Sequence, residues 1–257
     1  MRLTGLLIIL IIIFLSYGNL GHLPLVDTTK TTKNTTSKPI NKLNPVIENV
    51  YLDHKYLQSS RAISIDGNSE LLLTAQALKW PGNGSKANPF VIQNIYFSDR
   101  YTTPDLVDIS IKNTDLHILI QNIYMEFLRL SDQQLLRMGI QLQSCSNIII
   151  KNTFFISSIS NYNAHMIDIL NGSDIQILQN YFNTTQSVAV NIRQSSQINV
   201  TSNYFKNNFN GIYMGFNVQN ISISENNFQR NIWAVEYLKG NETQVANLNN
   251  SISNNYV

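Results

Sequence analysis

Ile198-Asn-Val200-Thr-Ser-Asn203-Tyr-Phe205 is followed 23 residues later by Ile221-Ser-Ile223-Ser-Glu-Asn226-Asn-Phe228, and Ile175-Gln-Ile177-Leu-Gln-Asn180-Tyr-Phe182 precedes it by the same step. Each copy opens with aliphatic residues two apart, which is the period of a strand with one buried face. Two polar residues follow, and then an asparagine, which tolerates the left-handed backbone of a sharp corner. An aromatic residue two places further on begins another extended run. A fixed period of two dozen residues is the signature of a solenoid in which neighbouring repeats bury each other.

Working outward, the Asn-x-aromatic triplet recurs as Asn94-Ile-Tyr96, Asn122-Ile-Tyr124, Asn152-Thr-Phe154, Asn180-Tyr-Phe182, Asn203-Tyr-Phe205, Asn226-Asn-Phe228 and Asn254-Asn-Tyr256. In two earlier copies the aliphatic pair, Ile118/Ile120 or Ile148/Ile150, lies one residue off. The last copy keeps its triplet but has Asn249 and Ser251 where the aliphatic pair is expected. Every period also holds a second strand-like run, such as Val107-Asp-Ile109-Ser-Ile111 or Val188-Ala-Val190-Asn-Ile192. Several short strands per period describe an all-β, right-handed parallel β-helix, here of about six to seven coils over residues 86–257. A leucine-rich repeat is the rival, since Val218-x-x-Ile221-x-Ile223-x-x-Asn226 fits it locally. The return segments carry further Ile/Val alternation instead of a leucine-rich helix, which favours the β-helix.

Stacking coils about 4.8 Å apart places like side chains on one another. The seven marker asparagines (Asn94, Asn122, Asn152, Asn180, Asn203, Asn226 and Asn254) are expected to form an inward amide ladder, with Asn207 and Asn208 outside it. An amide can hydrogen-bond above and below, whereas a stacked charge would face its own like. Charged residues accordingly make up only 13% of the chain.

Upstream the composition changes. Met1-Arg2, the apolar stretch Leu6 to Leu15 and the small residues Ser16 and Gly18 have the three-part layout of a signal peptide over 1–18, or of a short anchor. Residues 19–44, rich in Thr, Asn and Ser, read as a flexible linker. Residues 45–85 read as an N-terminal cap, with a strand at Ala62–Asp66 and a short helix within Glu70–Lys79. These features place the folded part outside the cytoplasm, secreted or at the cell surface. A net charge of +2 without a basic cluster speaks against nucleic-acid binding. Cys145 is the single cysteine, so no intramolecular disulfide forms, and a small buried residue at a coil turn is expected.

The repeat unit over 107–257, with the opening segment Trp80-Pro-Gly-Asn-Gly-Ser-Lys-Ala-Asn-Pro-Phe-Val-Ile92, resembles the right-handed parallel β-helix repeat proteins of the pectate-lyase-like superfamily, most closely exported members defined by the repeat alone. The resemblance implies the fold. For activity it leaves open polysaccharide lyases and hydrolases, a branch tied to copper delivery, and proteins without a known reaction.

The residues themselves hold no complete catalytic constellation. Asn113-Thr-Asp115 resembles the Asn-Thr-Asp element of polygalacturonase-like hydrolases, and Asp108 with Asp115 could supply two carboxylates. The Asp-Asp pair, Gly-His-Gly and Arg-x-Lys of those enzymes are missing. Asp168, Asp174, Arg193 and Glu225 fall on several coils without a common spacing. His117 and His165 are the weak candidates for a shared metal-binding face, and no cofactor is expected. The expectation is therefore a non-catalytic, exported β-helix offering a flat flank to a polysaccharide or surface glycan, with Tyr162, Asn163, Tyr213 and Trp233 as contact residues. A lyase or glycoside hydrolase is the alternative, and a metal-binding carrier a further one. The chain stops one residue after its seventh marker, so the C-terminal end is expected either to be covered by residues 240–250 or to dock onto a second copy or further chain.

Overall fold

The computed structural model describes residues 57–58, 62–98, 107–127, 138–158, 164–238 and 249–257. The signal-like segment, the linker and residues 239–248 lie outside them. The described residues form three parallel seven-stranded sheets. Sheet I contains β2 (Ile63–Asp66), β5 (Val107–Lys112), β8 (Met138–Gln143), β11 (His165–Leu170), β14 (Val188–Arg193), β17 (Asn210–Met214) and β20 (Trp233–Tyr237). Sheet II contains β3 (Phe90–Gln93), β6 (Ile118–Gln121), β9 (Ser146–Lys151), β12 (Ser173–Leu178), β15 (Ser196–Thr201), β18 (Ser222–Ser224) and β21 (Ser251–Ser253). Sheet III contains β1 (Leu57–Gln58), β4 (Ile95–Ser98), β7 (Tyr124–Phe127), β10 (Phe154–Ser157), β13 (Tyr181–Thr184), β16 (Tyr204–Lys206) and β19 (Asn227–Gln229).

The chain visits sheets I, II and III in turn, so every strand pairs with its equivalent one coil away and no sheet contains a hairpin. Five coils, β5 to β19, are complete. That is fewer than six to seven, because the turn from β2 to β4 is interrupted by helix α1 (Asn68–Ala77) and the final turn, β20 to β21, adds no third strand among the described residues. Helix α1 buries Leu71 and Ala75 against the core. It starts after Gly67, whose φ of 88° a side-chain-bearing residue would rarely adopt.

The core is a set of columns. Ile109, Ile140, Ile167, Val190 and Ile212 occupy one register position of sheet I, and all are 0% exposed. Phe155, Phe182, Phe205 and Phe228 do the same in sheet III, with ring centroids 4.8 Å apart and planes within 8° of parallel. Each such side chain contributes roughly 1.5–3 kcal/mol by leaving water. On the outer side of sheet III, Tyr96, Tyr124, Phe154, Tyr181 and Tyr204 form a second stack, with centroids 5.3 to 6.2 Å apart.

The corners correct the reading of the asparagine marker. Strand registers place Thr153 level with Asn180, and Asn152 level with Gln179, because Phe154 pairs with Tyr181. Asn94, Asn122, Asn152 and Asn254 sit at φ 58°, 51°, 51° and 52°, the left-handed corner position shared by Gln179, Ser202 and Glu225. They are not rungs of the ladder. The inward ladder is Asn180, Asn203, Asn226 and Asn255, and beneath it the same position holds Thr153, Ile123 and Ile95. Asparagine suits both adjacent places, one for its backbone tolerance and the other for its amide, so the triplet slid by a residue while the aliphatic strands stayed in register. With Asn255 as the rung, the last copy has Ile252 opposite Ile223 after all.

Within the ladder every amide is closed. The Asn203 Oδ1 accepts from the backbone N–H of Asn180 at 2.9 Å and from its Nδ2 at 3.0 Å, while Asn203 Nδ2 donates to the carbonyl of Ile177 at 2.8 Å. Asn226 repeats this towards Asn203 and Val200, and Asn255 towards Asn226 and Ile223. A second ladder stands at the corner from sheet III to sheet I. Thr184 Oγ1 donates to Asn208 Oδ1 at 2.6 Å, Asn208 Nδ2 donates to Asn231 Oδ1 at 2.7 Å, and Asn231 Nδ2 to the carbonyl of Phe205. Asn208, expected outside any ladder, is 1% exposed and belongs to this one. Its neighbour Asn207 takes the left-handed corner position at φ 56°.

Candidate functional site on the outer face of sheet I

Sheet I strands turn two side chains outward around an inward pair, so its outer face carries parallel lanes. In β14, for example, Val190 and Ile192 point into the core and Asn191 between them faces out. The central lane is Ser110, Gln141, Asp168, Asn191, Tyr213 and Glu236, register partners on successive coils. Beside it runs Met138, His165, Val188, Asn210 and Trp233. The i,i+3 pairs bridge the two lanes, as His165 Nδ1 does at 3.4 Å from Asp168 Oδ1.

Asp168 is 1% exposed although it faces outward. Arg193 Nη2 donates to both its oxygens at 3.0 Å, and Asn191 Nδ2 donates to Oδ1 at 2.7 Å. Burial pushes this carboxyl up. The hydrogen bond and charge of His165, then the charge of Arg193 and the amide of Asn191, together outweigh it and hold the group below the usual carboxylate range. Further along, Asn210 Nδ2 donates to Glu236 Oε2 at 2.7 Å. Burial, followed by the charge of Glu236, pushes the Tyr213 phenol up, against the opposing charge of Arg193.

Three polar atoms of this face have no partner. Asn191 Oδ1, Asn210 Oδ1 and Arg193 Nε are each shielded from solvent and make no hydrogen bond. Asn191 and Asn210 are both only 3% exposed. An unsatisfied buried group costs about 1–3 kcal/mol, so three on one face are a local cost to stability that the inner ladder does not carry.

The structure brings together Tyr213 and Trp233 of the sequence-derived contact residues, on adjacent strands of this face, with Trp233 53% exposed. Tyr162 and Asn163 lie outside the described residues. Asp108 is in β5, whereas Asp115 lies past the corner at Asn113, where its carboxylate accepts from Asn68 and its backbone carbonyl from Asn147. Asp115 thus ties a corner to α1 and makes no pair with Asp108 across one flank. His165 belongs to sheet I and His117 leads into β6 of sheet II, so the two do not share a face. Among the described residues no three His, Cys, Asp or Glu side chains converge as metal ligands. Cys145 is buried at the corner from sheet I to sheet II, its thiol donating to the carbonyls of Ile111 and Gln143, and burial pushes its pKa up.

Sequence reasoning missed the pairing of Asp168 with Arg193. The two are 25 residues apart, two more than the 23-residue step from Asp168 to its register partner Asn191. A diagonal contact of that kind shows up only when opposite charges are sought one coil plus two residues apart.

A family model described as the right-handed beta helix region matches residues 109–257, more than half of the chain. The protein belongs to that family of β-helix repeat proteins. No curated protein and no solved structure matches it.

Proposed function

We propose that this is an exported β-helix protein that binds an extended glycan along the outer face of sheet I without cleaving it. The observation that carries the reading is the outer face of sheet I, where Asn191 in the central lane and Asn210 in the lane beside it keep buried carbonyl oxygens without partners, next to an exposed Trp233. Flat aromatic surface with a few fixed polar groups is what a sugar ring requires, since its faces are apolar and its rim carries hydroxyls. The apolar stretch from Leu6 to Leu15 supports export.

The placement of acids supports binding over hydrolysis. Asp168 and Glu236, the carboxylates of the central lane, are three strands apart in register, about 14 Å at the usual strand spacing. Glycosidase pairs stand about 5–10 Å apart, and Asp168 is already engaged by Arg193, His165 and Asn191. The test is a panel of soluble polysaccharides titrated against the full chain and against Trp233→Ala, with reducing-end release followed in parallel. Binding that Trp233→Ala weakens, without depolymerisation, is expected. Release of fragments from any polysaccharide would overturn the non-catalytic reading, and binding untouched by Trp233→Ala would move the site off this face.

A further inference from the structure

Resting on that reading of sheet I, the geometry points to the class of sugar: we infer that the face takes an uncharged glycan whose hydroxyl or amide groups both donate and accept hydrogen bonds, and discriminates against polyuronates. Two observations carry this. One is the chemistry of the unpaired atoms: Asn191 Oδ1 and Asn210 Oδ1 are acceptors, while Arg193 Nε is a donor. They lie on β14 and β17, adjacent strands of sheet I, with Asn191 and Arg193 two residues apart on one strand. A carboxylate only accepts, so it answers Arg193 Nε alone, the asparagine oxygens need a hydroxyl or amide N–H, and the discrimination against uronates rests on charge. An ammonium only donates, and would leave Arg193 Nε–H unanswered. A hydroxyl does both, as does an acetamido group.

The second observation is charge. Arg193, the cation beside the central lane, has its Nη2 within 3.0 Å of both oxygens of Asp168. Glu236 adds a carboxylate two strands from Asn191, with only an amide donor, Asn210, in hydrogen-bond contact. Next to Asn191 and Asn210 the charge of Arg193 is thus engaged by Asp168, while Glu236 adds negative charge that repels a string of uronates.

The experiment titrates the full chain with four sets of oligosaccharides of equal length: neutral hexose, N-acetylhexosamine, uronate and free-amine hexosamine. One or both uncharged sets bind, and the pattern between them tells hydroxyl from acetamido recognition. Arg193→Lys keeps a cation beside Asp168 but lacks the Nε donor, and it weakens binding about tenfold, the loss expected for one hydrogen bond. Asn210→Ala weakens it comparably, and thermal midpoints confirm that both variants are folded. Uronates or amines that bind as tightly as the uncharged sets, with binding lost in Trp233→Ala, would overturn this inference while sparing the glycan reading. Uncharged-glycan binding that neither Arg193→Lys nor Asn210→Ala weakens would also overturn it. No binding by any set would remove the glycan reading itself.

Discussion

Two polar stacks climb the same solenoid, and they differ in every respect that matters for function. The inner ladder repeats one residue, Asn180, Asn203, Asn226 and Asn255, and satisfies each amide with the coil below it. The central lane on the outer face of sheet I changes residue at every step, from Gln141 to Asp168, Asn191, Tyr213 and Glu236, and with its flanking residues Asn210 and Arg193 it leaves two amide oxygens and a guanidinium N–H unpaired. Repetition with closure is what a structural stack needs, since each rung meets the same neighbours. Variation without closure costs stability, and that cost is tolerable where a ligand completes the hydrogen bonds.

The sharpest way to break this contrast is a matched pair of substitutions. Asn203→Leu strands the backbone N–H and one of the two Nδ2 hydrogens of Asn180 and the carbonyl of Ile177, and should cost about 3–5 kcal/mol, since unsatisfied buried groups cost about 1–3 kcal/mol each and do not add fully. Asn191→Leu removes an oxygen that had no partner and takes one donor from Asp168, so about 1–2 kcal/mol is expected. Urea unfolding midpoints of the two variants measure the difference. Equal losses would mean that the outer lane is as structural as the inner one.

That contrast also decides what the sequence could reveal. The strands were legible because Ile175/Ile177, Ile198/Val200 and Ile221/Ile223 alternate at the same place in each coil. The rung was misplaced in Asn94, Asn122, Asn152 and Asn254 because asparagine serves equally at a left-handed corner and as an inward amide one residue later. The one-residue slip of Ile118/Ile120 and Ile148/Ile150 against the marker was the available warning. Tyr213 and Trp233 could be named from the sequence, but Asp168, Asn191, Arg193 and Asn210 could not be grouped. Asp168 and Asn191 are register partners, but the contacts of Arg193 with Asp168 and of Asn210 with Glu236 run diagonally across coils and recur nowhere else in the lane, so no repeat exposes them.

A finer test uses the two neighbours Asn207 and Asn208. Asn208→Leu removes the acceptor of Thr184 Oγ1 and the donor to Asn231 Oδ1 in the second ladder, and about 2–3 kcal/mol is expected. Asn207→Leu places a side chain less tolerant of φ near 56° at a half-buried corner and removes the Nδ2 bond to Asn183 Oδ1, at about 1–2 kcal/mol, and Asn207→Gly should recover only the strain. Thermal melts rank the three variants. Asn207→Leu falling as far as Asn208→Leu would show that corner strain, rather than amide closure, holds this edge together.

The smallest expected effect is a pH dependence confined to the outer lane. The Asp168 carboxyl is held below its ordinary value of 3.8, because His165, Arg193 and Asn191 together outweigh the burial that pushes it up. The charged partners come from β11 and β14, while Gln141 on β8 presents a neutral amide. A depressed folded pKa means that the unfolded chain takes up the proton first as acid is added. The stabilisation is then complete above about pH 5 and is lost as the pH falls through 3.8 towards the lower folded value. Asp168→Asn lacks that titration, so the wild-type advantage over the variant should shrink steadily below pH 4. The inner ladder carries no titratable group, so the deficit of Asn203→Leu measured over the same range should not shrink with it. Thermal midpoints of the three proteins between pH 7 and pH 2.5 give both curves, and an Asp168→Asn deficit that persists or grows in acid would show that the carboxylate is not stabilised in the folded chain.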